Sequence, residues 1–437
     1  MPSSSLLVGR VPPRLPSGIS ERIRIFRRDN TFLPPPGRSF CRLMITLALA
    51  GKPNCGKSTF FKAATLADAE IANYPFTTID ANHGVGYVRA PCPCATLALP
   101  GGAATCGNCT DGVRFIPINL IDVAGLVPEA HTGRGLGNQF LDRLREADAI
   151  IHVVDGSGAT DAEGNPVGIG EHDPESDIAF LPLEMTMWVQ GILAKHWARL
   201  LRGAQSKTPV LHAAIADVLA GLSITVEDVE AAVRETGVDL LHADEGGLVE
   251  FCGALLRRSK PMISVANKAD QAPDALLDRL REHGVPPATA AGELALRNAA
   301  KAGLVTYLPG DPSFAVPDRA GLSKAQAAGL DAIAAVMARL GGTGVQPALN
   351  RAVFELLEQI VVYPVEDETH FMDGRGRVLP DAFLMRTGAT PRDLAFAVHT
   401  EIGKGFLYAV DARTRMRIRD TQPLKDGDII RIVSAAK

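Results

Sequence analysis

The chain has 437 residues, 46% of them hydrophobic and 22% charged, with a formal net charge of -4, an ordinary globular composition. That length is too great for one hydrophobic core and predicts three domains. No apolar run approaches the ~18 residues that cross a bilayer, which excludes a helical membrane span.

Residues 1–43 carry eight Arg against Glu21 and Asp29, a net +6 that leaves -10 for a mildly acidic body. Rich in Pro, Arg and Ser and without periodicity, they read as a non-native or disordered extension ahead of an initiator at Met44. A transit peptide and an RNA-binding basic arm are the alternatives. Seven cysteines, four of them between Cys92 and Cys109, point to reduced thiols or a metal site rather than a secreted disulfide framework, and so to the cytosol.

Ile45 to Ala50 is a short buried strand, followed by Gly51-Lys52-Pro53-Asn54-Cys55-Gly56-Lys57-Ser58 and a helical stretch from Thr59 to Ala69. Strand, loop and helix with the spacing G-x-x-x-x-G-K-S is what phosphate binding demands. Glycines let backbone N–H groups curl around a β-phosphate, the helix N-terminus adds positive potential, Lys57 reaches the β and γ oxygens, and Ser58 ligates magnesium. Cys55, at a helix N-terminus, is either a thiol of lowered pKa whose oxidation blocks the site or an inert filler. In Asn73-Tyr74-Pro75-Phe76-Thr77-Thr78, both threonines are candidates for the switch hydroxyl that ligates magnesium only when a γ-phosphate is present; an ST-turn in a polar loop is the alternative.

Cys92-Pro93-Cys94 and Cys106-Gly107-Asn108-Cys109 form C-x-C…C-x-x-C, two close pairs of the kind a tetrahedral S4 zinc site takes from a short loop. Four reduced surface thiols or a redox pair would leave the same pattern. Ile118 to Ile121 is a second strand, ending in Asp122-Val123-Ala124-Gly125, where the acid can hold the metal through water and Gly125 can donate its N–H to a γ-phosphate. Leu126 stands where many GTPases carry a glutamine that orients the attacking water. Intrinsic hydrolysis is therefore expected to be slow, with the chemistry left to positioning, magnesium and electrostatic stabilisation. His131 and Arg134 either approach the γ-phosphate or belong to a solvent-exposed mobile loop.

Leu181, Met185, Trp188, Ile192 and Leu193 recur at three- and four-residue steps, and Thr225-x-x-Asp228 is a capping box, so residues 176–259 are expected to be an inserted helical domain. A third strand, Met262 to Ala266, delivers Asn267-Lys268-Ala269-Asp270. The Asp270 carboxylate can accept from guanine N1–H and the 2-amino group together, whereas adenine offers an acceptor and no amino group there. Polar selection of this kind rejects the wrong ligand by ~10⁴ or more, so GTP is expected over ATP.

Residues 358–437 read as a strand (Ile360 to Pro364), the Asp373-Gly374 turn, a helix opened by Thr390-Pro391-x-Asp393 and closed by Gly403, and strands Phe406 to Val410 and Ile429 to Val433, a β-grasp order. Arg413, Arg415, Arg417 and Arg419 alternate with Thr414, Met416 and Ile418. On an extended backbone they put four guanidiniums on one face, either to track phosphates or as a solvated strand face.

These residues resemble the Obg-related GTPases, and within them the YchF or Obg-like ATPase branch in its archaeal form. The resemblance rests on the GKPNCGKS loop, NYPFTT, IDVAGLV followed by GRGLGNQF at Gly133 to Phe140, READAIIHVVD at Arg145 to Asp155, TAAGELALR at Thr289 to Arg297, YLPGD at Tyr307 to Asp311, and a C-terminal segment similar to the TGS domain. It covers everything from about Met44 onward and implies an α/β P-loop GTPase core (44–175 and 260–357), interrupted by the inserted α-helical domain and followed by a ubiquitin-like TGS β-grasp domain.

The resemblance also implies that Thr289-Ala290 contact the guanine oxygen through the backbone, that Asn54 helps bind a potassium ion serving as a fixed positive charge, and that the protein associates with ribosomes. Bacterial and eukaryotic members of the branch lack N-K-x-D and prefer ATP, so the intact motif agrees with GTP and leaves ATP hydrolysis as the alternative activity. The expected function is hydrolysis of GTP to GDP and phosphate as a conformational switch, with Lys57, Asn54 and Gly125 at the reacting phosphate. An RNA- or ribosome-binding scaffold with structural nucleotide is the rival that Leu126 favours.

Overall fold

The computed structural model describes residues 44–65, 82–97, 106, 108–123, 125, 129, 143–204 and 207–435. Residues 1–43, Thr77, Thr78, Leu126, His131 and Arg134 lie outside the described residues, as do the expectations placed on them.

Five strands, β1 (Thr46–Ala50), β2 (His83–Pro91), β3 (Val113–Asp122), β4 (Ala149–Asp155) and β5 (Met262–Asn267), build one sheet in the order β2-β3-β1-β4-β5. The β1–β3, β1–β4 and β4–β5 ladders are parallel, and only β2 runs antiparallel, against β3. β1, β4 and β5 are buried along their whole length, because successive side chains of a strand point to opposite faces and both faces of this sheet are covered. Leu47 and Leu49 of β1, with Ile151 and Val153 of β4, face a core shared with Phe60 and Ala64 of α1 (Lys57–Thr65). Ala48, Ala50 and Ile150 face the opposite core, under Leu181, Met185 and Val189 of α2 (Pro174–Ala204). The sheet is covered on both sides, as a mostly parallel sheet requires. Sequence patterning missed β2 and showed only the last part of β3.

Between β4 and β5 run α2, α3 (Thr208–Val218), α4 (Val226–Thr236) and α5 (Glu245–Ser259). The Thr225 and Asp228 side chains cap α4 reciprocally, which satisfies two backbone donors that the helix start leaves without partners. After β5 come α6 (Asp274–Glu282), α7 (Ala290–Lys301), α8 (Lys324–Leu340) and α9 (Val345–Asn350). Among the described residues no helix is long and apolar enough to cross a membrane.

A second sheet holds β6 (Gln359–Val365), β7 (Phe383–Arg386), β8 (Phe406–Asp411), β9 (Met416–Ile418) and β10 (Ile429–Ser434) in the order β7-β6-β10-β8-β9. Its central β6–β10 pair is parallel and the remaining ladders are antiparallel, a β-grasp arrangement. The expected single helix is split: α10 (Pro391–Val398) starts at the Thr390–Asp393 capping box, and His399 interrupts it before α11 (Thr400–Lys404), inside which Gly403 is buried.

The arginine stripe does not form one strand face. Arg413 and Arg415 lie in the turn between β8 and β9, with Arg415 at φ 58°, and Arg417 stacks 3.4 Å from the centroid of the Tyr408 ring. Alternation in sequence gives one face only on continuous extended backbone.

Both faces of β6 are packed. Val362 meets Leu394, Ala409 and Ile430 within the β-grasp unit. Val361, Tyr363 and Val365 instead join the core beneath the first sheet. Burying a side chain of this size contributes ~1.5–3 kcal/mol, so the two sheets share a substantial apolar junction.

Candidate nucleotide-binding site

Parallel register sets the site. Leu49 of β1 pairs with Asp122 of β3, and Asp155 of β4 pairs with Asn267 of β5, so the three motif loops leave β1, β3 and β5 at the same, C-terminal edge of the sheet, the ligand edge of a doubly wound sheet. The chain turns at Gly51 with φ 149°, where a Cβ would lie 2.2 Å from the Val153 carbonyl oxygen. At Gly56, φ 93°, a Cβ would lie 2.3 Å from Asn267 Nδ2. Only glycine fits either place.

Between them Asn54 is left-handed at φ 58° and donates Nδ2 to the Gly164 carbonyl at 3.0 Å, leaving its Oδ1 without a partner among the described residues. Lys57 is buried and donates Nζ to the Lys52 carbonyl at 2.6 Å. The exposed Ser58 hydroxyl donates to Asp122 Oδ2 at 2.9 Å, bringing together two hard oxygens of the kind magnesium takes. Gly125 lies against the same loop: a Cβ there would sit 2.8 Å from Pro53 N. Cys55 is fully buried, and burial pushes its thiol pKa up despite Lys57 nearby. Its burial favours the inert-filler reading over an accessible thiolate.

Asn267 ties two loops together. Its Nδ2 donates to the Cys55 carbonyl and its Oδ1 accepts from Ala290 N, each at 3.0 Å. Lys268, left-handed at φ 58°, pairs with the fully buried Asp155 at 2.8 Å. Burial works to raise the Asp155 pKa, but hydrogen bonds from Lys268, Ser157 and Thr160 outweigh it and hold the carboxyl below its ordinary value. The Asp270 carboxylate is half-buried and has no partner among the described residues, while Arg339 of α8 holds its loop by donating to the carbonyls of Ala269, Asp270 and Ala272.

Thr289 N donates to Thr343 O, Ala290 N is taken by Asn267, and the Thr289 hydroxyl accepts from Gly292 N.

Sequence reading missed the supports. Lys52, buried, pairs with Asp177 at the start of α2 at 2.6 Å and donates to the Thr160 carbonyl, and His172 meets Asp177 at 2.8 Å. The phosphate loop is thereby tied to the first turn of the helical insertion, through residues too far apart in sequence to suggest a pair. Glu293, fully buried, accepts from Arg297, Tyr307 and Thr343 and braces the loop that Thr289 begins. It lies inside the quoted segment Thr289 to Arg297, where an acid on an apolar helix face was the available signal.

The four cysteines do converge: the Sγ atoms of Cys92, Cys94, Cys106 and Cys109 all lie within 4.8 Å of one another, and only Cys109 is more than marginally exposed. Three are buried and Cys109 is partly buried, so they are not surface thiols.

Residues 46–178 match the model of the 50S ribosome-binding GTPase family, 265–367 that of the Obg-like GTPase YGR210-like, G4 motif-containing domain, and 376–434 the TGS domain. An uncharacterised GTP-binding protein of Methanocaldococcus jannaschii is 47% identical over 400 residues, covering 90% of this chain and 100% of that protein. The crystal structure of a GTP-binding protein from Pyrococcus horikoshii is 39% identical with a TM-score of 0.69, covering 90% of this chain and 100% of its own. A ribosome-binding ATPase YchF of Haemophilus ducreyi is 28% identical over 376 residues, covering 83% of this chain and 86% of its own. Matched by these family models along most of its described length and by the Methanocaldococcus jannaschii relative over 90% of the chain, the chain belongs to the Obg-like, YchF-related P-loop GTPase family.

Proposed function

We propose that this chain hydrolyses GTP to GDP and phosphate as a cytoplasmic, ribosome-associated switch. The observation that carries the choice of GTP is Asp270: a carboxylate with no partner among the described residues, on a loop whose backbone Arg339 fixes, where guanine presents two donors and adenine presents none. A charge left unpaired against adenine is what rejects ATP. That some relatives bear ATPase names keeps ATP as the competing substrate, and Asp270 argues against it.

Magnesium fits the meeting of Ser58 and Asp122 and would neutralise charge on the β and γ oxygens. Lys57 supplies the fixed charge of the protein itself at those oxygens, the backbone from Gly51 to Thr59 cradles the phosphates, and Gly125 offers its N–H to the γ-phosphate. Asn54 Oδ1 is the atom free to hold potassium, a second fixed cation where no glutamine follows Gly125. Ribosome binding is supported by the relatives' names and by the matched 50S ribosome-binding model.

Nucleotide-dependent cosedimentation with ribosomal subunits, paired with turnover measured with and without ribosomes, tests the switch. Retention that differs between a GTP analogue and GDP, together with stimulated turnover, is expected. Identical retention in both states and unstimulated turnover would leave the scaffold reading in its place.

A further inference from the structure

We propose that Cys92, Cys94, Cys106 and Cys109 hold one zinc ion as a closed tetrathiolate site, and that this ion clamps the C-terminal β-grasp unit onto the nucleotide-binding sheet. The proposal is independent of which nucleotide the protein binds.

Zn–S bonds of ~2.3 Å in a tetrahedron put neighbouring sulfurs ~3.8 Å apart. The Cys92–Cys106 and Cys94–Cys109 sulfurs stand 3.8 and 3.4 Å apart, with all four inside 4.8 Å. Disulfides would need both pairs to close to ~2.05 Å. The backbone holds the ligands in place: Cys92 N donates to Gly112 O at 2.8 Å, and Thr110 and Val113 exchange hydrogen bonds of 2.9 and 2.8 Å where the second pair enters β3. Four soft thiolates in tetrahedral array select zinc, or iron as the competitor, over hard cations.

Charge supplies a second, independent observation. Arg114 is 4% exposed, its Nη2 lies 4.0 Å from Cys106 Sγ, and its Nε is buried with no hydrogen-bond partner among the described residues. No carboxylate pairs with it among the described residues. A buried guanidinium needs an anion nearby. On binding, four thiols release four protons, and four thiolates around a +2 ion leave a charge of -2, which Arg114 partly offsets.

The same side chains reach the other domain. Arg114 Nη2 and Asn108 Nδ2 both donate to the Leu379 carbonyl, Arg114 lies 5.6 Å from the Tyr363 ring centroid, and the Tyr363 hydroxyl donates to the carbonyl of Pro91, next to Cys92. Cys92, Cys94 and Cys106 share one core with Val361, Tyr363, Val378 and Leu379. The residues that touch β6 and its neighbours, Pro91, Asn108 and Arg114, flank the ligands, so fixing the ligands fixes the junction.

Elemental analysis of the full chain, prepared anaerobically, should find one zinc per chain, and replacement by cobalt should give the visible absorption of a tetrahedral tetrathiolate. Cys92→Ser and Cys109→Ser should lose the metal, whereas Cys109→His should keep it. Hydrogen exchange should then compare the intact protein with protein stripped by a chelator, which avoids dependence on a variant that fails to fold. Exchange across residues 359–365 should accelerate ~tenfold or more on stripping, while residues 46–50 stay protected and GDP binding is retained. Four free thiols without metal, two disulfides, or stoichiometric iron would each overturn the zinc site. Zinc present but with β6 exchange unchanged by its removal would overturn the clamp.

Discussion

Removing the Asn267 side chain should damage the fold and the site together. Asn267 is 2% exposed and makes two hydrogen bonds of 3.0 Å, to the Cys55 carbonyl and from Ala290 N. Both partner residues are themselves buried, at 0% and 1% exposure. Asn267→Ala orphans both groups, and at ~1–3 kcal/mol for each buried unpaired group the loss should total ~2–6 kcal/mol, a large part of the ~5–15 kcal/mol that holds a domain folded. Urea unfolding followed by circular dichroism reads that loss. The same change unties the phosphate loop from the base-side loop, so dissociation of fluorescent GDP and of a fluorescent GTP analogue should quicken by a similar factor, because the γ-phosphate plays no part. A variant within ~0.5 kcal/mol of the parent, the range of an ordinary surface substitution, would refute the claim that Asn267 holds these loops together.

The buried Asp155 gives a pH signature. Its folded pKa is lowered, so its stabilisation is present above the ordinary carboxylate value of ~3.9 and is lost as pH falls through the lower folded value. Denaturation midpoints taken across that acid range should fall less steeply for Asp155→Asn, and parallel profiles would contradict the Lys268 pair as their source. Hydrolysis should rise when potassium replaces sodium, and Asn54→Ala should abolish the difference. Equal rates in both salts for the parent protein would remove Asn54 from the mechanism.

What the sequence made legible was whatever chemistry concentrates in short runs. The phosphate loop, the Asp122-x-x-Gly125 turn and the Asn267-to-Asp270 loop are each contiguous, and turn geometry and strand ends bring them to one edge of the sheet. The C-x-C…C-x-x-C spacing likewise showed which sulfurs converge, because a short loop limits where they can go. Two kinds of feature stayed hidden. Long-range pairs such as Lys52 with Asp177, or Arg339 with the Ala269 carbonyl, join residues whose separate positions carry no pattern. Strand β2 alternates weakly, because Gly84 and Gly86 stand where side chains of α1 and β3 press close. The arginine stripe failed for the opposite reason: its alternation was real, but a turn at Arg415 interrupts the extended backbone on which alternation means a shared face.

Nucleotide competition with the Asp270→Asn variant tests the central claim most directly. The substitution exchanges one acceptor oxygen for an NH₂ donor, which meets the guanine 2-amino group badly but suits xanthine, whose 2-position carries a carbonyl. With the phosphate loop untouched, GTP should lose about 1–3 kcal/mol for each polar group left unpaired, and xanthosine triphosphate should outcompete it. If the parent protein binds ATP as tightly as GTP, or if Asp270→Asn leaves guanine affinity unchanged, Asp270 does not read the base and the chain is an ATPase.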